Sequence, residues 1–127
     1  MNTVIAVPSV SPGGLEAPIG AHFGHCDLYT MVTVADGAVN HVETIPNIPH
    51  QQGGCLAPVQ YLSEKGAKAL IAGGMGLRPL MGFNQMGIHV FYGGEARTVG
   101  EAVSAFVAGN LQEFSQEHTC GGGRANL

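Results

Sequence analysis

The chain has 127 residues, 45% of them hydrophobic and only 11% charged, with 20 glycines, 7 prolines, no tryptophan and a formal charge of −4. That length suits one domain with a real core, and the five basic residues, Lys65, Lys68, Arg78, Arg97 and Arg124, are too scattered to follow a phosphate backbone, which argues against a nucleic-acid partner. The opening "MNTVIAVPSV" lacks the features of a signal peptide, no apolar run reaches the ~20 residues that span a bilayer, and three well-separated cysteines (Cys26, Cys55, Cys120) fit a reducing compartment, so a cytoplasmic protein with no membrane partner is expected.

Residues 3–8, "TVIAVP", are an apolar β-branched run closed by a proline and predict a buried strand. The loop that follows, "VSPGGLEAPIGAHFGH", is long for a small domain, and loops of that length tend to be functional. Residues 28–34 and 39–45 read as two strands of a hairpin, with Asp36-Gly37 as its turn. After "PNIPHQQGG", residues 55–65 set Cys55, Val59 and Leu62 on one helical face, Pro58 is tolerated in the first turn, and Gly66 ends the helix.

The rhythm then alternates. "KALIAGG" (68–74) predicts a buried strand, "GLRPLMGFNQMG" (76–87) a helix closed by Gly87, and "IHVFYGG" (88–94) another strand. Thr98 and Glu101 have capping-box spacing, Val99, Ala102, Val103, Phe106 and Val107 form a helical apolar stripe, and Gly109 ends that helix. The expected unit is a single domain over 1–111; the polar, glycine-rich remainder, 112–127, is expected to be a flexible tail.

A hairpin feeding alternating helices and strands implies a mixed α/β sheet with helices packed on it. Following the strand directions, the loops at 9–27, 46–54, 73–76 and 94–98 fall on one rim, where open α/β sheets bind ligands. His22, His25, Cys26, His50, Cys55, Met75 and Arg78 belong to that rim. Histidine and cysteine bind soft and borderline metals, yet a closed tetrahedral site needs four protein ligands, and "AHFGHC" offers half of one. His22 and His25 are therefore metal ligands or loop caps, and Cys26 is a ligand or a packing residue under the strand. Cys55, in the first turn of a helix, is a low-pKa thiol or a small buried residue. His41 and His89 lie within strands and read as structural or surface groups, Met75 and Met81 as packing residues. Helix starts at "QQGGCLAP" and "GGMGLRP" favour anions, and their glycines allow close approach. "GGMG" lacks the lysine and hydroxyl of a phosphate-binding loop.

These residues carry a resemblance. "AHFGHCDLYTMVTV", "GGCLAPVQYLSEKGAKALIAGGMGLRPLMGFNQMGIHVFYG" and "TVGEAVSAFVAGNL", in that order over most of residues 3–111, resemble the nitrogenase iron-molybdenum cofactor biosynthesis family of small cofactor carriers, and within it the orange protein branch. The resemblance implies a ribonuclease H-like fold with a five-stranded mixed sheet and no enzymatic activity. Ribonuclease H chemistry needs carboxylates that start on the first strand, and "NTVIAVPSV" has none. It also implies an anionic metal-sulfide cluster, of the molybdenum-copper or the iron-molybdenum type, held for delivery to partner proteins. Carried over, the binding role falls on His22, Phe23 and Gly24, on Gly53, Gly54 and Cys55, and on Gly73, Gly74, Met75 and Gly76, with His25 and Arg78 on the same rim; His22, His25, Cys26 and Cys55 are the candidate metal ligands. A cluster that brings its own sulfides needs only amide donors and one or two soft contacts, which accounts for a motif that looks like half a metal site. A different class, a metal-independent regulatory or scaffold module binding a partner through the same rim, stays open.

Overall fold

The computed structural model describes residues 2–20, 27–47, 56–73, 77–93 and 96–114. They form a six-stranded mixed sheet. Its strands are β1 (Asn2–Ser9), β2 (Leu28–Ala35), β3 (Ala38–Pro46), β4 (Ala69–Ala72), β5 (His89–Tyr92) and β6 (Gln112–Glu113), in the order β3-β2-β1-β4-β5-β6. Three helices join them: α1 (Leu56–Glu64), α2 (Leu77–Gln85) and α3 (Val99–Ala108). β1 pairs antiparallel with β2 (Ser9 opposite Leu28) and parallel with β4 (Ile5 opposite Ala69), β4 pairs parallel with β5, and β5 antiparallel with β6.

The tight turn between β2 and β3 forms because Asp36 (φ 55°) and Gly37 (φ 79°) both take the left-handed region, the twist a two-residue hairpin needs. Each helix ends on a glycine by one device. Gly66, Gly87 and Gly109 adopt positive φ, and the following amide reaches back into the last turn: Ala67 N–H to the Leu62 carbonyl (3.1 Å), Ile88 N–H to Phe83 (2.9 Å), Asn110 N–H to Ala105 (2.9 Å). The sequence placed all three stops correctly.

Alternation along the central strands splits the apolar residues between two layers. Ala6, Tyr29, Met31, Leu70 and Val90 pack against Val59 and Leu62 of α1 and Leu80 and Phe83 of α2. Ile5, Val7, Val32, Val34 and Ile71 pack against Val99, Ala102 and Val103 of α3, with Ala17 from the 10–20 loop. Burying each large side chain in such layers is worth roughly 1.5–3 kcal/mol.

Several expectations are corrected. The sheet has six strands, not five. β6 lies at 112–113, where the tail was expected to begin, because Phe114 beyond it is buried against Tyr92, ring centroids 5.8 Å apart, and its N–H reaches the Val90 carbonyl. Residues 115–127 lie outside the described residues. β1 runs through Pro8 to Ser9 instead of stopping at the proline. Met81 is 49% exposed and Val107 38% exposed, so neither is a core residue; Val107 instead lines an open groove with Val39 and Val103.

Candidate functional site

Strand directions bring the C-terminal ends of β1, β3, β4 and β5 and the start of β2 to one edge of the sheet: Ser9, Pro46, Ala72, Tyr92 and Leu28. α1 and α2 begin on this edge, since each leads from the end of one strand back to the start of the next parallel one, and α3 begins there because Thr98 bridges Pro18 beside the Ser9–Ile19 bridge. The flanks at Gly20 and Asp27, Asn47 and Leu56, Gly73 and Leu77, and Gly93 and Ala96 are all there. His22, Phe23, Gly24, His25 and Cys26, then His50, Gly53, Gly54 and Cys55, and Gly74, Met75 and Gly76 lie outside the described residues. Of the expected binding residues, Gly73 is exposed just past β4, and Arg78 belongs to the first turn of α2.

The flanks are fastened. Gly20 N–H donates to the Pro8 carbonyl at 2.8 Å, and Ile19 forms a bridge with Ser9. Asp27 is a junction: its Oδ2 accepts the Ser11 N–H (2.9 Å), and its backbone carbonyl accepts the Asn47 N–H (3.4 Å). The starts of two expected site segments, 21–26 and 48–55, are therefore tied to neighbouring points on β1, β2 and β3.

The 10–20 loop folds over the α3 face and closes the start of that helix. Val99 N–H donates to the Ala17 carbonyl (3.0 Å), Gly100 N–H to Leu15 (2.7 Å), and Glu101 N–H to the Thr98 hydroxyl (3.2 Å). The expected capping box is half met, because the Glu101 carboxylate takes the N–H of Arg97 (3.0 Å) instead of the Thr98 N–H. A Cβ at Gly100 would stand 3.1 Å from the Leu15 carbonyl oxygen, so a side chain there would press the loop outward by a few tenths of an ångström. So α3 presents no free first-turn amides to a ligand.

Beneath the loop lies a buried polar pair that the sequence reading passed over. The Ser9 hydroxyl donates to the Val7 carbonyl (2.7 Å) and meets the Thr30 hydroxyl at 2.9 Å, while Thr30 accepts the Gly14 N–H at 3.1 Å. Ser9 has spent its proton, so Thr30 must be the donor of the pair. The available signal was a serine and a threonine at strand positions whose neighbours are all apolar.

At the outer end of the edge, a cleft of about 580 Å³ opens between β5, β6 and α3, lined by Tyr92, Gly93, Ala96, Glu101, Asn110 and Gln112. On the opposite face the Tyr61 hydroxyl donates to the Pro46 carbonyl (2.9 Å), and partial desolvation raises its pKa above the ordinary tyrosine value. Among the described residues no three His, Cys, Asp or Glu side chains group as a metal site. Among the described residues, Asp27 and Glu101 near the edge each accept a backbone N–H. No helix among the described residues is long and apolar enough to cross a membrane.

The same arrangement recurs in known proteins. The apo form of the orange protein from Desulfovibrio gigas superposes with a TM-score of 0.76 at 26% identity, covering 89% of this chain and 93% of that one. A Thermotoga protein solved by NMR gives 0.72 at 29% identity over 87% and 92%. An uncharacterized protein of Methanocaldococcus jannaschii is 26% identical over 98 residues, 76% of this chain and 82% of that protein. The family model described as dinitrogenase iron-molybdenum cofactor matches residues 1–109, which takes in all three helices and the first five strands. With that span matched from end to end, the chain belongs to the dinitrogenase iron-molybdenum cofactor family.

Proposed function

We propose that this chain is a noncatalytic carrier that binds, stores or delivers an anionic metal-sulfide cluster, of the molybdenum-copper or the iron-molybdenum type, at the edge where its strands end. Family membership and the likeness to the orange protein support a molybdenum-containing cargo. The observation that carries the reading is that Gly20, Asp27, Asn47, Leu56, Gly73 and Leu77, the flanks of three segments rich in His, Cys, Met and Gly, all lie on that one edge.

The donor set fits the cargo. His22, His25, Cys26 and Cys55 are the ligand types soft and borderline metals take, and Phe23, Gly24, Gly53, Gly54, Gly73, Gly74, Met75, Gly76 and Arg78 supply backbone amides, small contacts and a cation for an anion's surface. The nearby carboxylates of Asp27 and Glu101 each spend an oxygen on a backbone N–H, a structural role distinct from ligating a metal. Within the first five strands the order β3-β2-β1-β4-β5, with β2 the reversed one and β6 added antiparallel outside β5, supports the ribonuclease H-like assignment, and β1 carries no carboxylate for metal-dependent hydrolysis.

The test is anaerobic isolation with elemental analysis and visible absorption, followed by reconstitution with thiomolybdate and copper(I). Bound molybdenum with a visible chromophore is the expected result. Colourless, metal-free protein that also refuses reconstitution would overturn the reading and leave the metal-independent scaffold.

A further inference from the structure

The cargo edge leaves β3 unused. This strand ends the sheet, is mostly exposed on both faces, and among the described residues nothing pairs with its outer side. The outward-turned backbone groups of such an edge are a template for another strand. We propose that the partner is a second copy of this chain, paired antiparallel through β3 about a two-fold axis at Val42.

The hydrogen-bond phase selects that axis. Asn47 N–H donates to the Asp27 carbonyl directly opposite. Bonded and non-bonded pairs alternate along an antiparallel ladder, so Tyr29/Ile45, Met31/Glu43 and Thr33/His41 are bonded pairs too. The backbone groups of His41, Glu43 and Ile45 thus turn inward to β2, and those of Val42 and Thr44 turn outward. The Pro46 carbonyl, in the same outward phase, is the one that takes the Tyr61 hydroxyl.

With the axis at Val42, the two Val42 residues exchange N–H and carbonyl, and His41 of each copy stands opposite Glu43 of the other in a close, non-bonded pair. Within one copy His41 Nε2 and Glu43 Oε1 already stand 3.6 Å apart on the same face, 63% and 59% exposed. The four side chains would close a ring that alternates imidazole donors with carboxylate acceptors. Their β2 neighbours on that face, Thr33 and Met31, carry no charge.

Other registers fail. An axis at Glu43 sets carboxylate against carboxylate, and one at His41 imidazole against imidazole. An axis at Thr44 asks Pro46, which has no N–H and whose carbonyl is occupied, to bond Val42. An added strand in the Val42 register would also run past an apolar groove of about 290 Å³ beside β3, lined by Val39, Val103, Val107 and Ala108; Val39 faces it because the ladder slips at Asn40. The interface is small, so a concentration-dependent equilibrium is expected and not a permanent dimer.

The test is sedimentation equilibrium of the full chain up to about 1 mM, where mass action favours association. The wild-type mass should rise from 13.1 kDa toward twice that value. His41→Glu and Glu43→His, both at solvent-exposed positions and with unchanged far-ultraviolet circular dichroism, should each associate at least ~10-fold more weakly, since each sets like groups opposite one another. Mixing the two variants should restore association, because the register then pairs a carboxylate with an imidazole at both positions. That rescue separates the proposal from any general loss of stability. Wild type that stays monomeric, or single variants that associate as tightly as wild type, would overturn it and leave the edge to a different chain's strand. Neither outcome bears on cluster binding, which is measured separately.

Discussion

The hydroxyls of Ser9 and Thr30 meet at 2.9 Å in the interior, and both residues are fully buried. The proton order along this relay is fixed: Gly14 N–H to Thr30, Thr30 to Ser9, Ser9 to the Val7 carbonyl. Valine has nearly the shape of threonine but no hydroxyl. Thr30→Val therefore strands the Gly14 amide and one Ser9 lone pair, at a cost of about 1–3 kcal/mol. Chemical denaturation should show that loss with an unchanged slope, and hydrogen exchange at Gly14 should rise more than at Val32. Unchanged stability would mean that water replaces the hydroxyl freely.

Phe114 anchors β6. Its ring stands edge-on to Tyr92 and its amide bonds Val90. A chain ending at Leu111 should lose roughly 3–5 kcal/mol, the usual cost of removing a buried aromatic side chain, whereas one ending at residue 114 should keep it. Comparing the midpoints of the two truncations decides whether the domain extends past 111. Equal midpoints would return residues 112–114 to the tail.

Tyr61 makes a small, pH-dependent contribution to stability at alkaline pH. Its pKa is raised above 10.0 by desolvation, so the folded protein holds that proton more tightly than the unfolded chain does. The resulting stabilisation is complete below pH ~10, the unfolded value, and is lost as pH climbs through the higher folded value. Ionisation also removes the donor that holds Pro46. Tyr61→Phe should cost about 0.5–1.5 kcal/mol at neutral pH and flatten the stability curve above pH 10. A wild-type curve as flat as that of the variant would refute the assignment.

Much of the fold was legible because local rules and tertiary demands agree in it. Asp36-Gly37 can hardly be anything but a hairpin turn, and Gly66, Gly87 and Gly109 follow helical patterns that the core completes. β6 was illegible for the opposite reason: "QEF" has no strand period of its own and pairs only because Phe114 finds a slot beside Tyr92. The exposure of Met81 and Val107 is set by which part of each helix the sheet covers, which periodicity does not encode. At the candidate site, strand direction was enough to bring the flanks of 21–26, 48–55 and 74–76 to one edge. The work of Asp27 and Thr30 was hidden, because each accepts a backbone N–H from a loop 16 residues away, and that of Ser9 because its partner hydroxyl lies on a neighbouring strand.

Three helices aim their starts at the same edge, but the first amides of α3 are already spent on Leu15, Ala17 and Thr98. The protein's own carbonyls cancel the positive pole this helix would otherwise display. Any guest at this edge therefore finds no backbone donor in the first turn of α3, and that flank can meet it only through side chains and shape.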